Sequence, residues 1–570
     1  MTALDVTATP ITRRMLHAIT LLIAGAPSMV RTVRTVRTVH AARLRRSLAR
    51  AAHTSVFAFA ACGGGGDAPA GPPAPPTTPT PTVAVQVAPG QLTLAPGTID
   101  AVTVSITRTN VTGAVTLSLS GLPAGVSAPS VSSSAATEAI PLTATSATAI
   151  AAATVTVTAS AAGAPNASAT FSLVVPALPA PAIRYPACGL SSSAPVWVAA
   201  QDGTGAWRQL ARGGDGTYAV NVASKGGIAV VSPAGASGFL LNIFQGTRAD
   251  LVHLAGQPCP MSGTRAIGGT MAGVTAGEVG SVQVGSAVTS VQSPGGPFTL
   301  DNVAAATLDL VAVRRSPTSP LPTKVILRPG IDISSTATLA PLDFAAAEAI
   351  DPEVRTATFG GIAADEGVSA FMQLRTPNGT NASLGSRPSQ VSASAPFAAI
   401  PLARLPAGHL QALSLVATEN APSPPRRSVL TIFRAGGDQT VTFGERLGPV
   451  DVTTAGANPM VRLRAQHAFS PAYPGGSSLL YSQSAGGTTR TISAQVTQAW
   501  SGSGEALDYT LPDFSGVFGW SSAWGLVAGV PVSWNVSAYA WTGAPPEGVF
   551  PAYADGIVVR TAGRVGSVTP

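Results

Sequence analysis

Lysine is nearly missing from this 570-residue chain: Lys225 and Lys324 are its two examples. The formal charge of +7 nevertheless suggests a basic protein. Residues 1–61 hold nine arginines (13, 14, 31, 34, 37, 43, 45, 46 and 50) and one acid, Asp5. Taking these from the totals of 33 basic and 26 acidic residues leaves 24 and 25 in 62–570, a balanced chain. It lacks the dense cationic surface that phosphate backbones require, which excludes nucleic acid as a partner. Long apolar runs are missing too. Leu16 to Ala26 is the longest candidate near the start, well short of the about 20 residues of a membrane-spanning helix. Histidine beyond residue 61 is confined to His253, His409 and His467, each isolated in turn-rich or strand-like sequence. No His-Glu-x-x-His, Gly-x-Ser-x-Gly, P-loop or dinucleotide glycine pattern occurs, so the sequence implies no cofactor and no metal. Carboxylates adjacent in sequence, Asp365-Glu366 and Asp351 with Glu353, are expected to be solvated turn residues. Those of the C-terminal part (Glu505, Asp508, Asp513, Glu547 and Asp555) are too few to suggest the paired acids of a glycosidase.

Cysteine occurs three times, and the first carries the most information. Cys62 closes the run Phe59-Ala60-Ala61-Cys62, preceded by arginines and the short apolar stretch Val56 to Ala61, and followed by four glycines, Gly63 to Gly66. This arrangement resembles the lipobox of a bacterial lipoprotein, although Phe59 stands where that family has an aliphatic residue. The resemblance implies a leader over 1–61, acylation of Cys62 and attachment to a membrane through several acyl chains. Met29, which opens the repeat Arg31-Thr32-Val33, Arg34-Thr35-Val36, Arg37-Thr38-Val39, is the alternative translation start. Gly63 in place of an aspartate implies the outer membrane. Residues 62–82 then form a Gly/Pro/Thr-rich tether, extended by up to about 3 Å per residue.

In an exported chain the two remaining cysteines, Cys188 and Cys259, read as a disulfide bracketing about 70 residues, worth roughly 4 kcal/mol in the chain-entropy model. Free buried thiols and metal ligation are the alternatives. Two sulfurs without a histidine or third cysteine at ligand spacing make a poor metal site.

With 60 glycines and 49 prolines the rest could pass for low-complexity sequence, but its Val/Thr/Ile runs alternate and are punctuated by Gly and Pro, as strands and turns do. Length predicts three to five domains. Residues 83–176 carry period-two strands at Val83–Val87, Val102–Ile106, Ala114–Leu119, Thr154–Thr158 and Thr170–Val175. The stretches Leu94-Ala95-Pro96-Gly97, Gly113-Ala114-Val115-Thr116-Leu117, Gly121-Leu122-Pro123-Ala124-Gly125-Val126 and Ala169-Thr170-Phe171-Ser172-Leu173 resemble bacterial immunoglobulin-like repeats, which implies a spacer or adhesive unit. Residues 183–260 form the cysteine-bracketed module, with a hairpin at Asp202-Gly203 and a second around Lys225-Gly226-Gly227. A calcium loop at Asp202 would need further acids. In 261–343 the run Gly296-Pro297-Phe298-Thr299-Leu300, Val303 and Leu308-Asp309-Leu310-Val311-Ala312 resembles the transthyretin-like module called carboxypeptidase-regulatory-like. Residues 354–450 read as another β module.

The segment 457–570 holds Trp500, Trp520, Trp524, Trp534 and Trp541, five of the seven tryptophans. Strict alternation over 532–541 puts Trp534 on one strand face and Tyr539 and Trp541 on the other. The fold class expected is all-β, several tandem β-sandwich modules of immunoglobulin-like and transthyretin-like kind, after a disordered leader and a Pro-rich linker. The function expected is that of a lipid-anchored cell-envelope protein, structural or adhesive and non-catalytic, extending as a rod with its C-terminal module outermost. The alternative is a surface component that binds a polysaccharide, a peptide or a surface protein through Trp520, Trp524, Tyr539 and Trp541. An anchored hydrolase ranks third.

Overall fold

The computed structural model describes residues 80–178, 181–186, 194–235, 237–255, 263–319, 321–419, 425–456, 458–502, 505–542 and 553–570. The leader, most of the tether, and Cys62, Cys188 and Cys259 lie outside the described residues, and with them the expected acylation and disulfide.

The first module comprises β1 (Thr82–Ala88), β2 (Gln91–Thr93), β3 (Thr98–Thr109), β4 (Val115–Ser120), β5 (Val126–Ser127), β6 (Val131–Ser133), β7 (Thr137–Ala144), β8 (Ala151–Ala161) and β9 (Ala164–Val175). One layer runs β2-β9-β8-β4-β6; the other runs β1-β3-β7-β5. Alternation explains the sandwich. Val102, Val104 and Ile106 of β3 turn inward to meet Val155 and Val157 of β8, and the core is aliphatic apart from Phe171. Gly97, Gly121 and Gly125 adopt positive φ at the turns where the sequence placed them.

The second module contains β10 (Ile183–Tyr185), β11 (Trp197–Asp202), β12 (Arg208–Leu210), β13 (Tyr218–Val220), β14 (Lys225–Pro233), β15 (Gly238–Thr247) and the helix α1 (Arg248–Ala255). The third has β16 (Thr264–Ala272), β17 (Val279–Val284), β18 (Ala287–Gln292), β19 (Gly296–Ala304), β20 (Thr307–Arg315), β21 (Pro322–Asp332) and β22 (Leu342–Asp343). The fourth has β23 (Glu353–Gly360), β24 (Glu366–Arg375), β25 (Asn381–Gln390), β26 (Ser394–Ala399), β27 (Leu410–Glu419), β28 (Arg426–Phe433) and β29 (Gln439–Thr442). The fifth has β30 (Asp451–Gly456), β31 (Arg462–Ala468), β32 (Gly476–Ala485), β33 (Thr488–Thr497), the short helix α2 (Gln498–Ser501), β34 (Ala506–Thr510), β35 (Val532–Thr542) and β36 (Val558–Val568).

One wiring diagram serves all four of these modules. Counting from β31 in the fifth module, the first strand pairs with the fourth, the second lies between the third and the fifth, and the fifth pairs with the sixth, all antiparallel. What varies is the element that flanks the first strand on its other side. It is a parallel seventh strand in the third and fourth modules, β22 and β29. In the second module α1 packs against β10, and in the fifth β30 pairs antiparallel with β31.

The modules are not strung as independent beads. The four-stranded layers of the fourth, fifth and second modules join edge to edge, and the sheet continues into the first module, in the order β25-β24-β27-β28-β36-β35-β32-β33-β15-β14-β11-β12-β3-β7-β5. Antiparallel pairing of β28 with β36 makes one joint, parallel pairing of β15 with β33 the next, and a two-residue contact of β12 with β3 the last. The fifth module therefore sits between the fourth and the second, not at the tip of a rod. Burial on both faces supplies the reason. Trp197, Ala199, Ala229, Val231, Leu241 and Ile243 point away from the second module's own core and enter the core of the fifth. Strands apolar on both sides need two covers, and the β30-β31-β34 layer provides the second. Strand β20 behaves similarly, sending Leu308, Leu310 and Ala312 into the third module and Val311 and Val313 into the fourth.

One turn expectation is corrected here. Lys225-Gly226-Gly227 begins β14 and is not a hairpin bend. Its glycines answer close approach: a Cβ on Gly226 would stand 2.4 Å from the Gln201 carbonyl oxygen, and one on Gly227 would stand 2.7 Å from the Trp207 ring.

Candidate functional site

The densest chemical feature is aromatic and lies where the second and fifth modules meet. Trp197, on β11, is 2% exposed, and its Nε1–H donates to the Phe518 carbonyl at 3.1 Å. Its ring lies 5.3 Å from Phe514 and 5.2 Å from Trp520, both edge-on, and 6.2 Å from Trp524. Trp520 and Trp524 meet perpendicularly at 5.4 Å; Trp207 and Phe239 complete the cluster from the second module. Edge-to-face geometry is the favoured arrangement of such rings. Trp520 and Trp524 come from the connection between β34 and β35, which a short 3₁₀ turn at Ser522–Trp524 folds inward. A Ser521 side chain caps that turn by accepting from the Ala523 N–H.

The structure does not bring the four expected ligand-contact residues together. Trp520 and Trp524 belong to the inter-module cluster. Tyr539 and Trp541 stack in parallel at 5.5 Å, interplanar angle 14°, on the opposite face of β35 from Trp534 and Val536. Tyr539 is 8% exposed, and burial, reinforced by nearby Asp250, pushes its hydroxyl above the ordinary range. Trp541 is half-buried and packs against a small cluster with Leu430, Ile432 and Val559. Sequence reasoning missed Trp197 and Phe514 as partners of the indoles. The available signal was the apolar run Pro195 to Ala200, which lacks a polar alternate.

Titratable groups are held by structural partners. The expectation that Asp365-Glu366 is a solvated turn pair is corrected for Glu366, which is 1% exposed at the start of β24. Burial alone would raise its pKa. Hydrogen bonds from Arg427 and the Ala363 N–H, with the charges of Arg427 and Arg446, outweigh that and hold it below the ordinary value. Arg446 also reaches Asp365 and Glu419. Asp309 is buried between the third and fourth modules. It accepts from the Gly330 N–H at 2.7 Å and from the Asn378 side-chain amide at 2.9 Å, and His409 Nε2 stands 4.0 Å away. Burial opposes its ionisation, and these bonds more than compensate.

His467 and Ser477 reproduce the spacing of a nucleophile and its base, Nε2 to Oγ being 3.0 Å. The Nδ1–H of His467 donates to the Ala468 carbonyl at 2.9 Å, which leaves Nε2 to accept from the serine. The pair is 4% and 0% exposed and links β31, which carries His467, to β32, which carries Ser477. A nucleophile needs access to a substrate; both side chains are closed off from solvent, and burial pushes the imidazole pKa down.

Asp202 accepts from the Ala223 N–H, and Gly203 takes positive φ behind it, so this segment is a turn. Among the described residues no group of three or more metal-ligating side chains occurs, and no helix is long and apolar enough to cross a membrane. A cleft of about 260 Å³ at the joint of the first and second modules is lined by Thr98, Asp202, Arg208, Leu210 and Asn221, among others. Arg208 and Asn221 are occupied there in bridging to the Thr93 and Pro96 carbonyls.

No family model matches the chain, and no curated protein matches it either. Solved structures do align. One is described as a Ca²⁺-stabilized adhesin that helps an Antarctic bacterium bind ice: 13% identical, covering 86% of this chain and 98% of that one, TM-score 0.13. A tetra-tandem repeat from the extending region of a large adhesion protein is 11% identical, covering 86% and 99%, TM-score 0.11. The ICAM-5 D1–D4 ectodomain fragment is 10% identical, covering 73% and 99%, TM-score 0.13. At such TM-scores the likeness bears neither on function nor on how the modules are arranged.

Proposed function

We propose that the chain is a lipid-anchored protein of the bacterial cell envelope with a structural or adhesive, non-catalytic role. It is held to the outer membrane through acylated Cys62 and stood off by the 62–82 tether. The observation that carries this reading is the juxtaposition of Phe59-Ala60-Ala61-Cys62 with a glycine- and proline-rich spacer and an all-β body. Support for a non-catalytic role comes from the described polar groups: Glu366, Asp309 and the His467–Ser477 pair are each buried and bonded within the fold. The test is metabolic labelling with a fatty-acid analogue, followed by mass spectrometry of the native N-terminal peptide. Label is expected on wild type and absent from Cys62→Ser. An unmodified thiol with upstream residues still attached would overturn the assignment.

A second reading, contact with a polysaccharide, a peptide or a surface protein, rests on Trp541 alone, which is half-buried and stacks on the buried Tyr539. Titration of a glycan panel into wild type and Trp541→Ala, followed by tryptophan fluorescence, tests it. A shift that the variant abolishes is the expected result, and an unresponsive wild type removes the reading.

A further inference from the structure

The wiring of the sheet divides the chain into two halves, 80–255 and 263–570, and the polypeptide crosses between them once, through residues 256–262. Among the described residues one strand pairing joins the halves, that of β15 with β33, from Gly238 opposite Thr489 to Gln245 opposite Val496. The other bonds at this joint also lead to the fifth module. Trp197 Nε1 reaches the Phe518 carbonyl, and Lys225 Nζ donates to the Trp500 carbonyl at 3.2 Å while standing over its ring. No strand of the third or fourth module pairs with 80–255 among the described residues.

Three properties make this joint exchangeable. The pairing is parallel, so no tight turn fixes β15 to β33, and about 250 residues of chain separate them. Its main-chain hydrogen bonds and ring contacts are indifferent to which molecule supplies each side. Its two surfaces cannot stay open, because Trp197, Val231, Leu241 and Ile243 on one side would face water, and on the other the fifth module's core around Ile492, Val496 and Phe514 would lose its cover at the β33 edge. Each half therefore has to find the other, in its own chain or in a neighbour.

We propose that the joint also forms between two copies of this chain, the 80–255 half of each seating against the fifth module of the other as a reciprocally exchanged pair. Such a pair is two-fold symmetric and keeps every contact of the closed monomer. The balance is then set by concentration against the effective concentration that the single crossing provides, which is millimolar for short connections. Exchange takes place while the chain folds, since opening a finished molecule would expose both apolar faces at once. The inference stands on the joint alone and holds whether or not Cys62 is acylated.

Leu240 and Thr491 are directly opposed in this pairing and lie outside the cluster of rings. Full-length chains carrying Leu240→Cys or Thr491→Cys are refolded together in detergent over a range of concentrations, oxidised, and digested to locate cross-links. A chain bearing both substitutions serves as the control for geometry, and wild type refolded in parallel is sized by light scattering. The proposal expects 240–491 links between the singly substituted chains, their share rising with concentration, and a wild-type dimer over the same range. Links confined to the doubly substituted chain, closed within one molecule, together with monomeric wild type up to about 1 mM, would overturn it.

Discussion

Trp197→Ala is the perturbation that most directly tests whether the second and fifth modules share one core. The indole is almost fully buried, and its contacts lie largely across the joint. Removing a buried tryptophan costs about 3–5 kcal/mol. Part of that is its hydrogen bond to the Phe518 carbonyl, about 1 kcal/mol, which Trp197→Phe isolates. Trp520→Ala removes a half-buried ring, and about 2 kcal/mol is expected from the smaller area it covers. The informative quantity is the coupling between the two. The rings meet edge-on at 5.2 Å, so a double-mutant cycle should return about 0.5–1.5 kcal/mol. Guanidinium unfolding followed by tryptophan fluorescence and by circular dichroism measures it. In wild type the second and fifth modules are expected to unfold in one transition, whose midpoint falls in both variants. Strict additivity of the two losses, or separate transitions already present in wild type, would refute the shared core.

Two further outcomes follow from buried charge. Glu366→Ala leaves Arg427 buried without its carboxylate, at a cost of about 3–5 kcal/mol, whereas Glu366→Leu combined with Arg427→Met should lose far less; equal losses in chemical denaturation would contradict the account. Because the folded pKa of Glu366 is depressed, its contribution is complete above the unfolded value of about 4.3 and drains away as pH falls through the folded value. His467 is also depressed, by burial. The unfolded chain takes up this proton first, so stability is full above about pH 6.5 and declines below it, by at most about 1.4 kcal/mol per pH unit. His467→Gln, which can still accept from Ser477, should flatten that slope between about pH 6.5 and 5. An unchanged slope would refute the assignment of this titration to His467.

The fold class and many strands were legible because one-sided strands leave a period of two. In the first module Val102, Val104 and Ile106 alternate with polar residues, and β3 contains the span expected. Strands β14 and β15 lack such a period, since both their faces are buried. Their apolar continuity was visible in the sequence, but its meaning depended on β33, a partner that no local pattern announces. Glu366 was misread for a different reason. Beside Asp365 it looks like a polar turn, yet it shares an alternation with Val368, Ala370, Met372 and Leu374, all buried on one face of β24. The C-terminal indoles were legible as a cluster but not by destination. Their partners Trp197 and Phe239 sit more than 250 residues upstream of them.

The repeated wiring of the last four modules explains why their order in space departs from their order in the chain. Each four-stranded layer ends in two free edges, the module's third and sixth strands, and free edges pair with whatever strand is presented. Within the fourth and fifth modules the sixth strands meet, β28 with β36, which turns the fifth module's third strand, β33, outward. The sixth strand of the second module, β15, is the matching edge, and its surplus apolar face requires the cover that the fifth module carries. The third module has no share in this sheet; it packs by face, through β20, against the fourth. Edge pairing decides which modules join, and the two-sided burial of β11, β14 and β15 decides that the closing partner is the last module. A polar replacement of Ile243 on the face turned to the fifth module should therefore loosen the fifth module from the second, while the second module's own core, built on Ile228, Val230 and Phe244, remains closed.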